Sequence, residues 1–227
     1  MATVKTKANV DQVVTIKPPN LLSCTFRIVG TAPYVQNKFS AKAREQIRAT
    51  QEAGSQARGK KKRDPKDFHA VYEGAKHYSE EGWVGIPAPS FRCAMISACR
   101  LVGFQMVKAK LSVFVIADGI DKDDGTPLVK IFGNVEPHEG YVRNETGVVD
   151  LRNRPMWRRW YSDVTVRWDG DQFSSEDLIN LLNRAGMQVG IGEGRPDSKK
   201  SAGCGWGTFE VTEVNPKKGT KPKGIAA

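Results

Sequence analysis

Between Ser174 and Val214 the chain reads SSEDLINLLNRAGMQVGIGEGRPDSKKSAGCGWGTFEVTEV: a helix pattern, then a glycine-rich run, then a strand pattern. Ser174 with Asp177 three residues on makes a capping-box-like start, and Leu178, Leu181, Leu182 and Ala185 follow on one helical face. Gly186 fits the C-terminal cap of that helix. Glycines then stand at 190, 192, 194, 203, 205 and 207, and Thr208 to Val214 reads as a strand. This order excludes a dinucleotide fingerprint, whose glycines follow a strand and open a helix that faces the pyrophosphate. The sequence also contains no P-loop. Backbone without Cβ atoms can instead approach a neighbouring segment or a phosphodiester chain closely, with Arg195, Lys199 and Lys200 supplying charge.

Working outward, Met156 to Trp168 alternates as a strand, and so does Leu21 to Tyr34, with Leu22, Cys24, Phe26 and Ile28 facing opposite to Ser23, Thr25, Arg27 and Val29. Phe91, Met95, Ala98, Leu101 and Val102 fall at helical spacing behind Pro89-Ser90, and Gly103 ends that helix. Lys108 to Ile120 reads as a further strand. The order β-α-β-β-α-β predicts an α+β fold: a modified ferredoxin-like, RRM-like palm with two long insertions and flexible basic termini. Residues 21–35, 83–118 and 156–211 form the core of one domain, and 1–20 form an N-terminal arm. A basic insertion spans 36–82, an irregular one spans 119–155, and 212–227 is a basic tail. The first insertion has so little apolar material that it is expected to stay mobile until bound. Short hairpin strands are expected in the second at Leu128–Phe132 and Gly147–Leu151.

The net charge of +10 is concentrated in a few places. Residues 36–66 hold ten basic and three acidic side chains, and 151–160 hold four basic and no acidic ones. Such segregation points to surfaces that meet a polyanion. The candidates in the first insertion are Lys38, Lys42, Arg44 and Arg48, followed by the run Lys60, Lys61, Lys62 and Arg63. Ahead of the third core strand stand Arg152 and Arg154. Met156-Trp157-Arg158-Arg159-Trp160-Tyr161 then interleaves rings, on which bases stack, with Arg158 and Arg159, which pair with phosphates. Alternation along a strand puts Trp157 and Arg159 on one face and Arg158 and Trp160 on the other, so at least one of these tryptophans belongs to the core and the solvent face is left to contact nucleic acid.

Four cysteines without a C-x-x-C pair and three histidines give no zinc-ligand spacing, so no metal or other cofactor is expected. No apolar run reaches the length of a membrane span, and MATVKTKANVDQ lacks a signal peptide's apolar stretch. A soluble, cytoplasmic protein without membrane contact is expected.

Gly192-Glu193-Gly194-Arg195-Pro196 followed by Gly203-Cys204-Gly205-Trp206-Gly207-Thr208-Phe209, placed between the second helix and the last strand, resembles the glycine-rich loop of the CRISPR-associated RAMP superfamily. Ile86-Pro87-Ala88-Pro89-Ser90-Phe91-Arg92 is similar to the start of the first helix in the backbone subunits of CRISPR effector complexes, with Ala88-Pro89 where a glycine is usual. The resemblance covers about 83–118 and 156–211. It implies a ferredoxin-like palm whose insertions grip single-stranded RNA between successive copies in a helical filament. It also implies that Ser90 and Arg92, and Gly192, Gly194 and Arg195, lie against the RNA backbone. The implied partners are RNA or DNA single strands, further copies of this chain, and other CRISPR-effector-type subunits. The implied setting is a prokaryotic cell, including a phage-infected one should the chain be a stand-alone relative.

Two alternatives stay open. RAMP relatives that process guide RNA use a histidine as general acid or base, and His69 and His77 lie near Asp64 and Asp67 in the first insertion. His138 is a weaker candidate. The third reading is a protein-binding decoy or virion component whose basic segments meet an acidic partner.

Overall fold

The computed structural model describes residues 16–39, 41–52, 67–143, 147, 149–198 and 203–216. Strand β1 (Leu21–Gly30) is followed by the short β2 (Tyr34–Val35), helices α1 (Ala41–Glu52) and α2 (Phe68–Gly74), and β3 (Gly85–Pro87). Helices α3 (Ala88–Ala98) and α4 (Met106–Ser112) lead into β4 (Val113–Ile116). Next come β5 (Gly119–Ile120), β6 (Pro127–Lys130), the hairpin β7 (Val135–Arg143) and β8 (Val149–Trp157), β9 (Tyr161–Asp169), α5 (Ser175–Arg184) and β10 (Phe209–Val214). The fold is mixed α+β with three antiparallel sheets, in the orders β10-β1-β9-β4, β2-β8-β7 and β3-β6-β5. No helix among the described residues is long and apolar enough to cross a membrane.

The core lies between the four-stranded sheet and α3 and α5, where Phe26, Ile28, Val164, Val166 and Trp168 meet Phe91, Met95, Leu178 and Leu182. The alternation of β1 directs Phe26 and Ile28 inward, yet Arg27 on the other face is buried as well. Its guanidinium is held from across the sheet by Asp163, with Nε donating to Oδ1 at 2.7 Å and Nη2 to Oδ2 at 2.8 Å. Such a two-pronged ion pair is what lets an arginine leave water. Helix α5 begins as the sequence indicates, with Ser174 and Asp177 completing a capping box.

Five expectations are corrected. Met156–Trp168 is two strands: the turn at Arg158–Trp160 separates β8 from β9, and Trp160 Nε1 donates to the carbonyl of Ala32 at 2.9 Å. Both Trp157 and Trp160 are therefore core, and neither ring is left for a base. The first half of Lys108–Ile120 is helical, because the C-terminal end of α4 is closed by Arg92, which donates to the carbonyls of Val113 (2.9 Å) and Lys110. The described residues of 119–155 hold more regular structure than the two short strands expected: β5, β6 and a long hairpin whose outer strand carries Pro137 opposite Pro155 of β8. Lys38, expected on the surface of the first insertion, is buried; among the described residues of that insertion 41–52 and 68–74 are helical. Gly186 does not end α5: the helix runs on through a π-turn (Ala185–Val189) and stops at Gly190, φ +70°. A Cβ on Gly186 would lie 2.1 Å from the carbonyl oxygen of Phe209, so that glycine serves helix–strand contact.

Candidate functional site

The glycine-rich loop packs against its own protein. A Cβ on Gly192 would meet the Tyr34 ring and the Val35 carbonyl at 2.6 Å, and one on Gly194 would meet the Trp206 ring at 2.7 Å. Both glycines have positive φ, +79° and +74°. The Gly194 carbonyl accepts from the amides of Cys204 and Trp206, at 2.8 and 3.2 Å, which ties the two halves of the loop together. Asp197 anchors it to the end of α3 through Ser97 and Arg100; bonds from those two side chains hold its carboxyl below the ordinary value.

Against this loop lies one face of the β7–β8 hairpin. Arg152 and Arg154, two apart on β8, share that face. Glu193 takes Arg154 Nε at 3.1 Å and Arg152 Nη1 at 3.6 Å, while Arg152 also reaches Asp150 at 3.4 Å. Arg195 donates to the carbonyl of Gly192 at 3.1 Å. His138, paired with Arg154 in the hairpin, sets its ring edge-on to Trp206, 5.4 Å between centroids. Loop and hairpin thus set Arg152 and Arg154 on the carboxylate of Glu193, in the same loop as Gly192, Gly194 and Arg195; Glu193 is a residue the sequence did not single out.

The other candidates are dispersed. Arg158, at the turn after β8, is paired with Glu136, and Arg159 beside it is exposed. Ser90 is half-buried in the first turn of α3, and Arg92 is engaged by α4. On α1, Arg44 approaches Asp124 at 3.9 Å and Arg48 is exposed; Lys42 belongs to the same helix, its side chain outside the described residues. Lys60, Lys61, Lys62, Arg63, Lys199 and Lys200 also lie outside the described residues, as do 1–15 and 217–227.

Lys38 does not face a ligand. Its ammonium lies between Asp121 (2.7 and 2.8 Å to the two carboxylate oxygens) and Asp123 (2.7 Å). His77 Nδ1 is 2.8 Å from Asp121 Oδ2. Burial pushes the Asp121 carboxyl up, but hydrogen bonds from Lys38, the Asp123 amide and His77 outweigh it and hold the group below its ordinary value. For His77 burial wins over the pull of Asp121, its pKa falls, and the imidazole is neutral at pH 7. His77 Nδ1 and oxygens of Asp121 and Asp124 come within 4.8 Å of one another, and Asp121 at the centre of this group holds the lysine ammonium together with Asp123. His69 is exposed on α2, and its amide is capped by Asp67 at 2.9 Å.

The sheet face opposite the helices carries a cleft of about 550 Å³ lined by Trp83, Phe132 and Lys130 together with Glu81, Asp118 and Asp163. Asp163 is taken by Arg27, Glu81 and Asp118 still outweigh the one ammonium, and Lys130 already sits over both rings, 5.7 and 5.6 Å from their centroids. Comparison of the chain with models of protein families and with curated proteins gave no match.

Proposed function

We propose that this chain is a RAMP-like, non-catalytic protein that binds single-stranded nucleic acid, in the first instance RNA, and lines up in copies along the strand. The observation that carries the reading is the docking of the glycine-rich loop on the β7–β8 hairpin, which sets two arginines, Arg152 and Arg154, on one carboxylate, with Arg195 in the same loop. Phosphates can compete with Glu193 for guanidiniums that the fold already holds in place. A ferredoxin-like palm is supported by the sheet order: with β1, β4, β9 and β10 counted 1 to 4, the order is 4-1-3-2, and α3 and α5 are the two crossovers. Titrating a labelled single-stranded RNA with the protein at several salt concentrations tests the proposal. The affinity is expected to fall linearly on a log–log plot, by about 0.7 in slope per phosphate contact. Absence of binding, or a flat plot, overturns it and leaves an acidic protein partner as the reading of the basic surface.

One observation favours a second reading, RNA cleavage: His77 Nδ1 lies 2.8 Å from Asp121, which orients the ring, and burial lowers its pKa, which favours the neutral form a general base requires. Cleavage of labelled RNA that is lost in His77→Ala would establish it, and intact RNA after prolonged incubation with wild type would remove it.

A further inference from the structure

The hairpin face that meets the glycine-rich loop also carries a ring that phosphate contacts leave unused. His138 of β7 stands directly opposite Arg154, and Gly140, two residues on and on the same face, stands opposite Arg152. The half-buried imidazole reaches along the strand toward Gly140, where a Cβ would lie 3.5 Å from its Nε2. Among the described residues no other side chain comes within 4 Å of that point, so the strand is bare beside the imidazole and across from Arg152. The imidazole is braced on its other side. It stands edge-on to Trp206, with 89° between the planes and 5.4 Å between the centroids. Trp206 in turn lies against Gly194, where a Cβ would be 2.7 Å from the indole. The two glycines thus serve different ends: Gly194 lets the indole settle, and Gly140 leaves room beside the ring that the indole supports.

We infer that this place seats an unpaired base: a nucleotide of the bound strand lays its base against the imidazole of His138, over Gly140, while its phosphates meet Arg152 and Arg154. This rests on the reading of a single-strand binder, and names the part of the nucleotide that phosphate contacts leave unrecognised. Three features carry it. A ring already braced by a second ring loses little freedom when a base stacks on it. Bare backbone at Gly140 admits a flat group where a side chain would fill the space. The arginines are the cross-strand neighbours of these two residues, one strand spacing of about 5 Å away, so a single nucleotide can span base seat and phosphate contact. Every base has a π-face, so the seat accepts any of the four, and it rejects a duplex, whose bases are stacked on one another. His138 acts here as a surface and not as an acid or base.

The test compares a single-stranded RNA with a strand of the same length and phosphate count whose sugars carry no bases. Each is labelled and titrated with full-length wild type, His138→Ala and His138→Phe, and binding is read by anisotropy. Wild type is expected to prefer the base-bearing strand about tenfold. His138→Ala should lose that preference while its affinity for the baseless strand and its salt slope stay as in wild type. His138→Phe keeps a ring and should keep the preference. A His138→Ala that retains the preference overturns the inference, as does a His138→Phe that behaves like His138→Ala. A His138→Ala that weakens both strands alike also overturns it, since the histidine would then only brace the loop. Wild type that binds both strands equally removes the base seat and leaves the function standing, whereas wild type that binds neither strand overturns the function and the inference with it.

Discussion

The ammonium of Lys38 and the carboxylate of Asp121 lie 2.7 Å apart with both side chains withdrawn from solvent, and they join segments 83 residues apart in the chain. This pair fastens the first insertion to the turn between β5 and β6. Removing one partner leaves the other charge buried and uncompensated. Lys38→Ala is expected to lower unfolding stability by about 3–5 kcal/mol in urea titrations. Adding Asp121→Asn should recover part of the loss, and a double variant whose losses simply add would show that the two do not act as a unit.

Acid should loosen the same fastening. His77 has a lower pKa in the fold than in the unfolded chain, because burial disfavours its charged form, so the unfolded state binds more protons as pH drops below about 6.5 and stability declines. Asp121 is held below its ordinary value by Lys38, the Asp123 amide and His77 against the opposing effect of burial. Its contribution is therefore complete above about pH 4 and lost as the pH falls through the depressed value. Urea midpoints measured against pH should fall first in the histidine range. His77→Gln should flatten that first fall and leave the carboxylate range in place.

The arrangement around Glu193 gives substitutions of opposite sign. Glu193→Gln removes the carboxylate that competes with phosphate and should tighten RNA binding about fivefold, the equivalent of ~1 kcal/mol for one exposed charge interaction. Arg152→Ala with Arg154→Ala should weaken binding and reduce the salt slope by about 1.4, two contacts' worth. Anisotropy titrations check both; a weaker Glu193→Gln would mean that the carboxylate positions the arginines instead of competing for them. Lys38→Ala, by contrast, should leave the salt slope of the folded protein unchanged.

Alanine substitutions in the loop separate a packed loop from a slack one. Gly207 has φ +68° and a Cβ there would lie 1.7 Å from the Ile191 carbonyl oxygen, whereas Gly205 has φ +73° with nothing within 4 Å. Gly205→Ala should cost about 1–2 kcal/mol from backbone conformation alone. Gly207→Ala should cost clearly more, because backbone must move as well. Thermal melts of the two variants that coincide would contradict the packing described for the loop.

What was legible in the sequence was local. The capping box at Ser174 and Asp177 needs only residues three apart, and the buried leucines of α5 follow from its period. The reading failed where a distant partner decides the outcome. Lys38 looks like any surface lysine until Asp121 and Asp123 are folded onto it. In Lys108–Ile120 the period-2 pattern belongs only to the residues from Val113; Leu111 pairs instead with Val107, one helical turn back, on a helix whose apolar face is turned outward. The division of Met156–Trp168 is set by the indole of Trp160 reaching Ala32, with no glycine or proline between β8 and β9 to announce a turn. At the candidate site the cationic partners stood out as a cluster, but Glu193 reads only as a residue between two glycines.

Pro137 lies in β7, the outer strand of the β2-β8-β7 sheet, and an outer strand without a proline offers amides to any other strand that comes near. A protein crowded along a polymer is held at a local concentration at which sheets fuse edge to edge into aggregates that do not come apart. One missing N–H in the middle of that edge interrupts the ladder such fusion requires. If copies line up on a strand as proposed, this edge lets them separate again when that strand is degraded.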